Sequence, residues 1–110
     1  MRNDEQAGLS ATRLKILKAA ASPVRLEILR YLKDPKGNFP PQADGDPLFD
    51  GVCADYIREK LGIAAATASR HLTLLAETGL LVATRKKGWT FYRRDDKAIR
   101  LFVRQLRSEL

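Results

Sequence analysis

The residues from Ala64 to Thr73, AAATASRHLT, carry hydrogen-bonding rather than bond-breaking chemistry. Serine and threonine hydroxyls can bond to several base edges, alanine and threonine methyls can touch a thymine methyl, and Arg70 can grip a guanine with two parallel bonds. Small side chains at Ala65, Ala66, Thr67 and Ser69 would let a backbone come close to bases, with Thr73 one turn further along the same face. An alanine-rich stretch is also simply a good helix former. A second group, Arg85, Lys86 and Lys87, suits phosphate contact. Catalysis has little to work with. The chain holds one histidine and one cysteine, with no glycine-rich phosphate loop and no paired acid and base, so an enzyme is not expected.

These groups need elements to hold them. Tyr56, Ile57 and Leu61 give a short apolar period that Gly62 interrupts. Ala68, Leu72 and Leu75 then recur at helical spacing up to Gly79, which predicts a helix over about 65–78 with one buried face. Helix, glycine turn, small-residue helix is the helix-turn-helix pattern, whose second helix enters the major groove. After Gly79, Leu80, Val82 and Thr84 share one strand face. Thr90 and Tyr92 alternate with Trp89, Phe91 and Arg93 in the next strand. Lys87-Gly88 is the expected turn of this hairpin, or wing, with Arg93 and Arg94 at its base.

The flanking helices read from caps and periods. Residues 1–9 are expected to form a polar, flexible arm. Ser10 is expected to cap a first helix, with Leu9 and Leu14 as a hydrophobic staple. Ser22-Pro23 starts a second helix that runs to about Lys33. Residues 38–51, NFPPQADGDPLFDG, have no period and form a long loop that Phe39, Leu48 and Phe49 could pin to the body. A third helix spans about 54–61. Asp95-Asp96 caps the last one. Leu14, Leu17 and Ala21 in the first helix, and Ile99, Phe102, Val103, Leu106 and Leu110 in the last, form two apolar stripes. Both exceed what a small core needs and favour pairing in a homodimer. The fold expected over residues 10–110 is therefore mainly α with a small β-hairpin: four helices, two strands and a fifth helix.

Composition agrees with a polyanionic partner. The 110 residues carry a formal charge of +7, with a pI near 9.9. Residues 1–51 hold eight basic and seven acidic side chains, and residues 52–110 hold twelve and six. Basicity thus belongs to the half with the helix-turn-helix. No apolar run approaches about 20 residues and no signal peptide is present, so a cytoplasmic protein without membrane contact is expected.

SPVRLEILRYL, GIAAATASRHLTLLAETGLL and KKGWTFYRR together resemble the ArsR/SmtB family of bacterial winged-helix regulators, over roughly residues 12–106 with 38–51 as an insertion. The resemblance implies a homodimeric repressor joined through its first and last helices, bound to an inverted-repeat operator in double-stranded DNA and released by an effector. It places DNA contacts on Thr67, Ser69, Arg70, His71 and Arg85 to Lys87. One departure is Ala64, where relatives often carry a serine N-cap. Another is the effector site. GVCADYI lacks the family's C-x-C-D metal pattern, and the last helix has no histidine. No cofactor is required by these residues. A transition metal such as Ni²⁺ or Zn²⁺ on Asp95, Asp96 and Glu109, a thiol switch at Cys53, and a small-molecule effector all stay open. So do a non-specific architectural DNA binder and a protein–protein adaptor as alternatives to a sequence-specific regulator.

Overall fold

The first helix, α1 (Ala11–Ala20), starts where Ser10 Oγ accepts the Arg13 amide at 3.1 Å. In this computed structural model residues 10–110 are described; the N-terminal arm and Leu9 of the staple lie outside them. Ser22 caps α2 (Pro23–Tyr31) in the same way, accepting from the Arg25 amide at 3.3 Å, with Pro23 in the first turn, where no amide donor is needed. Helix α2 ends short of the expected Lys33. Pro35 disfavours helical geometry at Asp34, and Asp34 instead caps a single turn, α3 (Pro35–Asn38). The Asn38 amide donates to the Tyr31 and Asp34 carbonyls and so closes the end of α2.

The following loop is ordered by its own side chains. Asp46 accepts the amides of Leu48 and Phe49 at 2.8 and 3.0 Å. These bonds, Phe49's first, hold its carboxyl below the usual range. Asp50, which is buried, accepts the Asp46 amide at 2.8 Å. Gln42 bridges the Gly51 carbonyl and the Cys53 amide, both at 3.0 Å. Of the three anchors expected, only Phe39 is buried, meeting Tyr31 edge-on with ring centroids 6.3 Å apart. Leu48 and Phe49 are 59% and 80% exposed. Backbone hydrogen bonding, not apolar contact, folds that part of the loop.

Gly51 carries the loop back to the sheet. Its φ is +109°, and an added Cβ would lie 2.4 Å from the Tyr92 carbonyl group; only glycine fits so close an approach. It delivers β1 (Val52–Cys53), an edge strand absent from the sequence reading, antiparallel to β3 (Trp89–Arg94), which also pairs with β2 (Leu81–Lys86). Registers Val52↔Tyr92↔Ala83 and Cys53↔Phe91↔Thr84 define the two faces. The first faces the helices. The second lies under the loop, where Gly45 rests on the Phe91 ring. The strand β2 starts at Leu81 rather than Leu80, and both leucines are buried.

Helices α4 (Ala54–Leu61) and α5 (Ala65–Glu77) are joined through Gly62 in the left-handed conformation, as the glycine turn requires. Ile28, Ile57, Leu72, Leu75, Val52 and Tyr92 are the centre of the core. Each fully buried aliphatic side chain there contributes about 1.5–3 kcal/mol. The last helix, α6 (Asp96–Glu109), is capped by Asp95, which accepts the Ala98 amide at 3.0 Å. Arg94 ties the sheet to α2 and α6, donating to the Leu29 carbonyl at 3.0 Å and to Asp96 at 2.8 Å.

Candidate nucleic-acid interface

The helix α5 separates its two faces as its period predicts. Ala68, Leu72 and Leu75 are buried, while Ala65, Ala66, Ser69, Arg70 and Thr73 form one exposed edge. Thr67 and His71 are half-buried at its border. At the N-terminus of α5, Ala64 provides no side-chain cap. The amides of the first turn therefore have no helical acceptor, and a helix start with free N–H groups suits an anion.

His71 is turned toward the protein. Its Nδ1 lies 3.0 Å from Arg25 Nη1, and Arg25 Nε donates to the Ala19 carbonyl at the end of α1. A guanidinium only donates, so Nδ1 is the acceptor and the ring proton sits on Nε2. Burial, followed by the charges of Arg25 and Arg70, holds the imidazole below its ordinary pKa of 6.5. His71 is thus a neutral link between α5 and α2. Sequence reasoning missed Arg25, whose role depends on a contact between distant segments.

The wing presents Arg85, Lys86 and Lys87 at an exposed tip. Lys87 and Gly88 both have positive φ, 53° and 81°, the geometry of a two-residue hairpin turn that matches strand twist. Two of the three tip cations lean on the loop: Lys86 Nζ is 3.4 Å from Asp50 and Lys87 Nζ is 3.7 Å from Asp44. At the base, Arg94 is engaged internally and only Arg93 remains partly open.

The other candidate residues do not gather into a site within one chain. Asp95 caps α6, Asp96 pairs with Arg94, and Glu109 pairs with Arg13 at the far end of that helix. Thirteen residues of helix put Glu109 about 20 Å from Asp96. Among the described residues no group of three potential metal ligands is formed. Cys53 is buried, with its backbone amide held by Gln42 of the loop.

Comparison with known proteins bears directly on this arrangement. The chain is 37% identical over 97 residues to YbzH, an uncharacterized HTH-type transcriptional regulator of Bacillus subtilis, covering 88% of this chain and 97% of that protein. This chain belongs to the HTH-type transcriptional regulators. No protein-family model matches it. Among solved structures, it is similar to the homodimeric winged helix-turn-helix DNA-binding domain of Mb0332 from Mycobacterium bovis, described as a possible ArsR-family regulator. Identity is 27%, the TM-score is 0.65, and 93% of this chain and 82% of that one are covered. NolR of Sinorhizobium fredii shares the fold at 20% identity, with a TM-score of 0.58 over 86% of this chain and 80% of that one. The architecture is therefore a winged helix-turn-helix, and the chain is a regulator rather than an enzyme. Among the described residues of this regulator, no helix is long and apolar enough to cross a membrane.

Proposed function

We propose that this regulator is a homodimeric repressor that reads an inverted-repeat operator with α5 and grips the flanking phosphates with its wing. The exposed edge Ala65–Ala66–Ser69–Arg70–Thr73 carries the reading. It combines close backbone approach, thymine-methyl contact and one long guanine-directed cation on a helix whose opposite face is locked in the core. Arg85 and Lys87 would add salt-dependent affinity without reading sequence. A twofold pair would set two α5 helices about one DNA turn apart. The pairing surface would be α1 and α6. Val103 on α6 and Leu110 just past its end are 53% and 91% exposed, beside half-buried Ile99 and Leu106, while Phe102 is already covered within the single chain. Leu14 and Leu17 of α1 are half-buried and Ala21 is exposed.

The test is a competition assay on the protein's own upstream DNA. Arg70→Ala should weaken operator binding by about 1–3 kcal/mol and relax preference at one base position. The charge of +7 also suits a non-specific architectural binder. In that case Arg70→Ala would lower affinity equally for all sequences, and random DNA would displace the protein as well as the operator does.

A further inference from the structure

Between the loop and the outer face of the sheet lies a cleft of about 250 Å³. Phe91, Tyr56 and Trp89 give it an aromatic lining, and Cys53 adds a buried thiol that makes no hydrogen bond to the helix it precedes. Asp44, Asp55 and Glu59 stand around it, and no basic side chain lines it. In a molecule of net charge +7 this is an acidic, aromatic exception. The nearest cations lie outside the lining and hold these carboxylates loosely. Lys87 is 3.7 Å from Asp44, and Arg58 is 3.8 and 3.9 Å from Asp55 and Glu59. Such exposed pairs are weak. Aromatic faces attract cations as well. The volume is below the roughly 300–1,000 Å³ of drug-sized pockets, so the fitting ligand is small.

We propose that this cleft binds a small organic ammonium ion with a single apolar ring or short chain, and that the ligand and DNA reinforce each other's binding. The ammonium group takes Asp44 from Lys87, and the ring occupies the space between Trp89, Phe91 and Tyr56. Lys87, released at the wing tip, is then available to a phosphate. Conversely, a phosphate that takes Lys87 frees Asp44 for the ligand. Coupling of this kind is reciprocal, and a weak exposed pair limits it to about two- to fivefold. The coupling rests on the DNA-binding reading above, whereas the ligand site does not.

Trp89 is the only tryptophan, so its fluorescence reports the cleft directly. Phenethylamine is the probe, and 2-phenylethanol is its neutral counterpart of similar size. Without DNA, phenethylamine should change Trp89 emission saturably. The response should need at least about tenfold more 2-phenylethanol, and at least about tenfold more phenethylamine in the Asp44→Asn/Glu59→Gln variant. No saturable response, or equal responses from the two compounds or the two proteins, overturns the site. With upstream DNA bound, phenethylamine affinity should rise two- to fivefold, and Lys87→Gln should abolish the rise. Unchanged affinity overturns the coupling and leaves the site standing. If no DNA complex forms at any salt concentration, the proposed function and the coupling fail together. The DNA-free titration still decides the cleft.

Discussion

His71 shows how a residue at the edge of an exposed helix face can have its charge decided by the fold. Its Nδ1 faces the Arg25 guanidinium, so protonation would set two cations together. The folded-state pKa is lowered, whereas the unfolded chain titrates near 6.5. Above that value both states are neutral and the residue costs nothing. As pH falls from about 6.5 toward the lowered folded pKa, the unfolded state takes up a proton that the native state resists, and stability declines. His71→Gln keeps an acceptor without the titration. Thermal melts between pH 7 and 5 should therefore show the wild type losing stability relative to this variant; parallel losses would refute the account. At this scale the sequence was partly legible. The apolar period of α5 placed Arg70 and Ser69 on the open edge correctly. It could not show that His71 meets Arg25, because that contact joins residues far apart in the chain.

The elements follow from local chemistry wherever caps and periods were strong. Ser10, Ser22, Asp34 and Asp95 each accept an amide three residues on, and Gly62 turns the chain between α4 and α5. The start of α5 is the exception, since Ala64 leaves it uncapped. Ala64→Ser should stabilise the protein by about 1 kcal/mol in denaturant titration. Its backbone already has the extended conformation that an N-cap requires, with φ −68° and ψ 150°. No gain would mean that the free amides are satisfied by another group. The 38–51 loop was the least legible element. Its order comes from Asp46, Asp50 and Gln42 bonding to nearby amides and carbonyls, and such bonds leave no hydrophobic period. The strand β1 was invisible for a related reason: two residues cannot alternate.

At the scale of the molecule, apolar surface is left uncovered where a partner subunit would sit. Arg13 and Glu109 tie α1 to α6, so the two helices form one surface. Val103 is exposed on it, and a single-chain fold should tolerate Val103→Glu within about 0.5 kcal/mol. A dimer built on this surface should instead dissociate, with sedimentation velocity showing monomers and operator binding weakened. A dimer that survives the substitution would locate the interface elsewhere. Charge distribution was legible by halves but not by contact at this scale. The basic half holds the wing, but the aspartates that partner its tip come from the other half, brought there by the loop.

The edge strand β1 also sets an order of assembly. Strands β2 and β3 are joined by two residues and can zip together locally, whereas Val52 must find Tyr92 across α4, α5 and the hairpin. Closing so long a loop is entropically slow. The strand and the loop it anchors should therefore be the last part to dock and the first to open. Amide exchange at Cys53 should accordingly outpace exchange in the β2–β3 ladder. A protease meeting the native protein would find its first cut in the 38–51 loop, leaving the helix-turn-helix intact behind it.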